Sequence, residues 1–127
     1  MNCMLAALSK ILNRSPTEIT DEIGHNGTEE WWSGYTRSFH IQEVIDYCFK
    51  NGYSLINIEH YPQQSPSPEH TPKSTFNIEQ AEERFRNYLD GRKAILYMRN
   101  DSGNYHARAW MGFGDIDSRI IEAYILI

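Results

Sequence analysis

Two side chains of complementary chemistry stand far apart in the chain, a thiol at Cys3 and an imidazole at His106. A thiol attacks as its thiolate, and a sulfur in the first turn of a helix faces unsatisfied backbone N–H groups and the positive end of the macrodipole, which favour that form. It also needs a base that takes its proton and returns it. Among the five histidines, His106 is the best placed, because it opens an alternating strand directly after a turn. Cysteine, imidazole and a carboxylate that orients the imidazole through its second nitrogen make up a set for nucleophilic catalysis. Glu122 and Asp117 compete for the third position. A hairpin folding back around Phe113 to Asp115 sets His106 opposite Glu122 on one side of a sheet. Asp117 and Asp115 fall in the connecting turn, so the expectation is Glu122 first and Asp117 second.

The elements that must carry these groups follow from periodicity. Asn2 is a helix cap, and Met4, Leu5, Leu8, Ile11 and Leu12 make an apolar stripe that predicts a helix from Cys3 to about Asn13, with Ala6 and Ala7 permitting close packing. Ser15-Pro16-Thr17-Glu18 is a capping box with proline at the first helical position, and it opens a short helix ending near Gly24. From Gly24 to Ser38 neither period is present, and a structured loop is expected. Ser38 is expected to cap a helix through Lys50, stopped by Asn51-Gly52. Tyr53 to Tyr61 alternates as a strand. Four prolines between Tyr61 and Pro72 mark a polar loop, either a plain connection or a lid or recognition strip. Asn77 and Gln80 form a second capping box for a helix through Leu89, ended by Asp90-Gly91. Ala94 to Met98, Tyr105 to Gly112 and Ile120 to Ile127 read as three strands in a meander.

Helices first and antiparallel strands second give an α+β class. The expected organisation is one domain over 1–127, with a helical half over about 1–52 packed on a sheet half over about 53–127 that carries an inserted helix near 77–89. In the His106 strand, Tyr105, Ala107, Ala109 and Met111 form the core face. His106, Arg108 and Trp110 form the other, which is expected to look onto a groove.

Composition narrows the function classes. The chain has 127 residues, 12 basic against 17 acidic, and a formal net charge of −5, which argues against a general grip on the phosphate backbone of nucleic acid. Mean hydropathy is −0.60 and apolar runs are short, so no membrane span is expected and a cytoplasmic protein is. The two cysteines lack Cys-x-x-Cys spacing, and neither a disulfide framework nor a metal site is indicated. Cys48, between Tyr47 and Phe49 in an amphipathic helix, reads as a packing residue. His60 and His70 read as solvated. His25 and His40 read as loop-ordering residues that can also line the groove. Trp31 and Trp32 are adjacent in a loop and cannot both face one core, so at least one walls the groove or meets a partner. Gly112-Phe113-Gly114 is a turn, since no helix follows to make it a phosphate loop.

Asn2-Cys3-Met4-Leu5-Ala6-Ala7-Leu8 opening a helix, with Tyr105-His106-Ala107-Arg108-Ala109-Trp110 on a late strand, resembles the papain-like cysteine peptidase fold, in particular its compact bacteriocin-processing-peptidase-like branch. Ile23-Gly24-His25-Asn26-Gly27 and Phe39-His40-Ile41-Gln42-Glu43 are similar to segments of small bacterial and phage proteins of that type. The resemblance implies Cys3 as nucleophile, His106 as general base and then acid, and Glu122 or Asp117 as the orienting residue. It implies peptide or isopeptide hydrolysis without a cofactor, on a peptide or protein substrate. Deamidation or transglutamination by the same pair is a further alternative. So is a binding protein that keeps the fold and captures a host protein or peptide in its groove. Members of this fold supply a glutamine several residues before the cysteine as an oxyanion donor. Here Met1 and Asn2 precede Cys3, and the candidates are the Asn2 amide, the Cys3 N–H and Gln42.

Overall fold

The computed structural model describes residues 2–32, 35–61, 77–102 and 104–127, with the side chains of 31–36 outside the description. The first helix, α1 (Cys3–Leu12), starts where the cap requires it: the Asn2 side-chain oxygen accepts from the backbone N–H of Met4 at 2.9 Å and of Leu5 at 3.4 Å. It ends as Asn13 turns left-handed (φ 52°). Helix α2 (Pro16–Ile23) begins with Ser15 Oγ accepting from Glu18 N at 3.1 Å and stops at Gly24. Arg14, in the short link, reaches Glu18, Glu22 and Asn51, tying the α1–α2 corner to the end of the third helix.

That third helix, α3 (Ile41–Lys50), departs from expectation at its start. Its cap is His40, whose ring nitrogen Nδ1 accepts from Gln42 N at 3.1 Å, and not Ser38, which sits upstream at φ 55°. Ahead of it, the stretch read as a loop contains a small hairpin of β1 (Glu30–Trp32) and β2 (Tyr35–Thr36). Strand β3 (Leu55–Glu59) follows. Helix α4 (Ile78–Leu89) carries the complete capping box between Asn77 and Gln80. The proline-rich stretch beyond Tyr61, with His70 in it, lies outside the described residues.

Strands β4 (Lys93–Arg99), β5 (Tyr105–Met111) and β6 (Ile120–Leu126) complete an antiparallel sheet, but they do not form a meander. The order is β3-β6-β4-β5, so β6 returns past β5 and inserts between β3 and β4, leaving β5 at an edge. Burial explains the choice. Ile120, Ala123 and Ile125 of β6 are fully buried, a pattern that an edge position would waste, whereas β5 leaves Tyr105, His106 and Arg108 exposed.

Strand alternation splits the apolar residues into two cores, one on each face of the sheet. On one face Ile95 and Ala107 meet Met4, Leu5, Ala7, Leu8 and Ile11 of α1, Ile19 of α2, and Val44, Tyr47 and Cys48 of α3. On the other, Ala94, Leu96, Met98, Trp110, Ala123 and Ile125 pack with Phe85 and Leu89 of α4. The architecture is thus α+β in three layers, with α1 to α3 on one side of the sheet and α4 on the other. No helix among the described residues is long and apolar enough to cross a membrane.

Candidate functional site

Asn2 both caps α1 and fixes its approach to the neighbouring loop. Its Nδ2 donates to Ser38 Oγ at 3.5 Å. Gly27 packs so closely here that an added β-carbon would stand 2.7 Å from the Phe39 ring and 3.2 Å from Asn2 Nδ2, at a φ of +76° that also favours glycine. The Phe39 ring is held in turn by His25, stacked on it at 4.7 Å. His25 is buried, its Nδ1 accepts from Gly27 N at 3.1 Å, and its Nε2 lies 2.5 Å from Glu43 Oε2. A nitrogen that accepts carries no proton, so the ring is in the tautomer whose Nε2–H donates to Glu43. His25 therefore orders the loop that abuts the α1 cap. Its hydrogen bonds go to Gly27 and Glu43, and it does not line the depression at Cys3.

The thiol of Cys3 is the first helical residue of α1 and half-buried against the α1 side of the sheet. The backbone N–H of Ala107, on the free edge of β5, donates to its Sγ at 3.5 Å. Cys3, Ala6, Ala7 and Lys10 of α1 and His106, Ala107, Arg108 and Ala109 of β5 line one open depression of about 220 Å³. Sequence-distant Cys3 and His106 are thus brought to the same edge of the sheet, with two cations beside them. Alternation sets His106 in the row of Met98, on the face turned to α4, whereas Cys3 packs on the opposite face. The two residues meet around the edge, with the Ala107 backbone between them. His106 is exposed, and its ring makes no hydrogen bond among the described residues.

The third member is not where hairpin pairing put it. Strand β6 does not pair with β5, and Glu122 pairs with Tyr97 of β4 and Glu59 of β3, in the row of Ala107 and on the face away from His106. Its carboxylate accepts from Asn57 Nδ2 at 3.2 Å and from the Tyr124 hydroxyl at 3.5 Å. Asp117 accepts from Arg119 N at 2.8 Å and lies beside the Arg119 guanidinium, in the β5–β6 connection. Neither carboxylate holds the His106 ring. The Tyr97 phenol, by contrast, lies on the Cys3 side of the sheet between Ala107 and Glu122. Burial pushes it well above the ordinary tyrosine range, and Tyr124 and the charges of Glu122 and the Cys3 thiolate add to the rise.

The remaining candidates separate cleanly. Trp110 does not line the groove: it is buried against α4, its Nε1–H donates to the Leu89 carbonyl at 2.9 Å, and Gly114 passes close over its ring. Gln42 is exposed at the start of α3, and its position does not border the Cys3 depression. His40 lines a separate, wider cavity of about 650 Å³ with Glu29, Glu30, Arg37, Phe39 and Glu43. Trp31 and Trp32 form β1 by backbone, and the groove role expected of their side chains lies outside what is described. Cys48 is fully buried, and desolvation pushes its thiol up to about 11.

Sequence reasoning misplaced His60, which is buried and not solvated. Its Nδ1–H donates to the Ile120 carbonyl at 2.9 Å, its ring stacks between Tyr61 and Phe85, and its Nε2 is buried without a partner. The signal was present: His60 is in phase with inward-facing Ile58. Among the described residues, no group of three or more His, Cys, Asp or Glu side chains is arranged to hold a metal ion. No family model matches the chain, and neither a curated protein nor a solved structure does.

Proposed function

We propose that this protein is a cysteine-dependent acyl-transfer enzyme, papain-like in arrangement, that hydrolyses a peptide or isopeptide bond with Cys3 as nucleophile and His106 as its proton partner. One observation carries the reading. The Cys3 sulfur, at a helix start and half-exposed, meets the free edge of β5 one residue from an exposed imidazole, within one open depression. Cys48 supplies the contrast of a thiol sealed in a core.

The His106 ring carries no competing hydrogen bond among the described residues and turns about its side-chain torsions to face Sγ across the strand edge. It takes the thiol proton as sulfur attacks the carbonyl carbon. The C–O double bond becomes a single bond bearing the negative charge, then re-forms as the C–N bond breaks and the amine leaves with the proton from the imidazolium. Water, deprotonated by the same ring, then attacks the thioester. The acid is released and the proton returns to sulfur. Among the described residues no carboxylate reaches the second ring nitrogen, so the working unit they supply is the Cys3–His106 pair.

The test is product analysis on a complex mixture of peptides incubated with the protein, the Cys3→Ala variant and the His106→Ala variant. New peptide termini that vanish in both variants are the expected result. Mass gains of about one dalton at glutamine, or new glutamine–amine cross-links, would instead assign deamidation or transglutamination to the same pair. A mixture left unchanged by the unaltered protein would overturn the proposal. A second reading, a papain-like protein that captures a host protein or peptide without turnover, is favoured by the lack of an orienting group on the His106 ring among the described residues. It requires that Cys3→Ala keep full biological activity.

A further inference from the structure

A nucleophile selects its substrate through the surface beside it. From the point where the sulfur meets Ala107, the depression at Cys3 extends to Lys10 on α1 and Ala109 on β5. Four of its lining residues are alanines, Ala6, Ala7, Ala107 and Ala109, whose side chains are too small to interrupt a chain laid over them. Lys10 and Arg108 complete the lining beside the Cys3–His106 pair, and no carboxylate joins them. In a chain with 12 basic and 17 acidic residues, that is a local reversal of sign. Neither cation is neutralised among the described residues. Lys10 has no ion pair or hydrogen bond there, and Arg108 gives a guanidinium N–H only to the Asp115 carbonyl, at 3.4 Å. Arg14, Arg37 and Arg119, by contrast, each lie against carboxylates.

We infer that the acyl donor of the Cys3 site is an acidic peptide, whose aspartate or glutamate carboxylate is held by Lys10 and Arg108, an inference that rests on Cys3 being the nucleophile. The strand period sets the Ala109 amide on the same outer edge as the Ala107 amide that reaches Sγ, and among the described residues the Ala109 amide has no acceptor. An extended chain is the ligand that supplies one. Strands pair most stably when antiparallel, as every pair in this sheet does. Laid antiparallel to β5 with its reacting carbonyl at Sγ, such a chain carries its N-terminal residues toward Ala109 and Lys10. Seven residues of helix, a rise of about 10.5 Å, separate Lys10 from Cys3. That is the span of about three extended residues, so the carboxylate belongs about three residues before the carbonyl that is attacked.

Three chloromethyl ketones test this, built on acetyl-Glu-Ala-Ala, acetyl-Gln-Ala-Ala and acetyl-Lys-Ala-Ala. In each the thiolate displaces chloride to form a thioether, and peptide mapping gives the rate of adduct formation at Cys3. At low salt the glutamate probe is expected to react about tenfold faster than the glutamine probe, the sum of two partly exposed ion pairs, with the lysine probe slowest. The gap should narrow at about 0.5 M sodium chloride. Lys10→Gln combined with Arg108→Gln should bring the glutamate-to-glutamine ratio to about one, and Lys10→Glu should let the lysine probe overtake the glutamate probe. Lys50→Gln, which removes the same charge from the end of α3, should keep the ratio. Lys10 also lies in the last turn of α1, and a lysine that served only that helix end would alter stability without altering the ratio. A ratio near one in the unaltered protein would overturn the inference, as would a preference that survives the double substitution. Failure of all three probes to label Cys3 would overturn the nucleophile reading first, and this inference with it.

Discussion

Differential alkylation of the two thiols gives the most direct measure of how the fold treats them. Cys48 has no exposed surface, and burial raises its thiol from 9.0 to about 11. At neutral pH that shift alone lowers its thiolate fraction about 100-fold relative to an ordinary cysteine, before the need for the core to open is counted. Cys3 is half-buried and borders an open depression. With iodoacetamide limiting at pH 7.5, peptide mapping should therefore find adduct at Cys3 and essentially none at Cys48 until the protein is unfolded. The same shift has a consequence for stability. The folded state holds the Cys48 proton more tightly than the unfolded chain, so the stabilisation is complete below about pH 9. It is lost as pH rises from 9 towards 11, by roughly 3 kcal/mol in all. Chemical denaturation at pH 8 and pH 11, with Cys48→Ala as the reference, would expose that term. Equal or preferential labelling of Cys48 in the folded protein would refute both the burial argument and the assignment of Cys3 as the reactive thiol.

Two further substitutions test the scaffold. Gly27→Ala forces a β-carbon into Phe39 at a left-handed backbone position, and should cost about 1–3 kcal/mol by urea unfolding while altering the alkylation rate of Cys3 through the Asn2 cap. Trp110→Phe removes the donor to the Leu89 carbonyl inside the α4-side core and should cost about 1–3 kcal/mol. Its iodoacetamide rate at Cys3 should stay at the level of the unaltered protein, because Trp110 belongs to the opposite face of the sheet.

What the residues announced, and what they hid, divides by range. Local signals translated directly into structure: the Asn2 cap, Ser15-Pro16-Thr17-Glu18 and the Asn77–Gln80 box each mark a helix start, because all their partners lie within four residues. The His40 cap went unread because serine is the commoner cap, although an imidazole nitrogen accepts the same bond. Alternation correctly divided β5 into two faces. It could not say which strand lies beside β5, since that depends on β6 finding a fully buried slot between β3 and β4. That single non-local choice moves Glu122 from the neighbourhood of His106 to that of Tyr97. The same change of order sets Tyr97 between Ala107 and Glu122 on the Cys3 side of the sheet.

Helix α1 begins against the outermost strand, and its sulfur occupies one of the amides that β5 turns outward. An unguarded border of this kind recruits foreign backbone and seeds self-association. The residue that reads as a nucleophile thus doubles as a stopper on an otherwise sticky margin. Replacing it by alanine to silence chemistry also unplugs that margin, so a serine in its place, which keeps an acceptor for the Ala107 amide, is the gentler way to switch the molecule off.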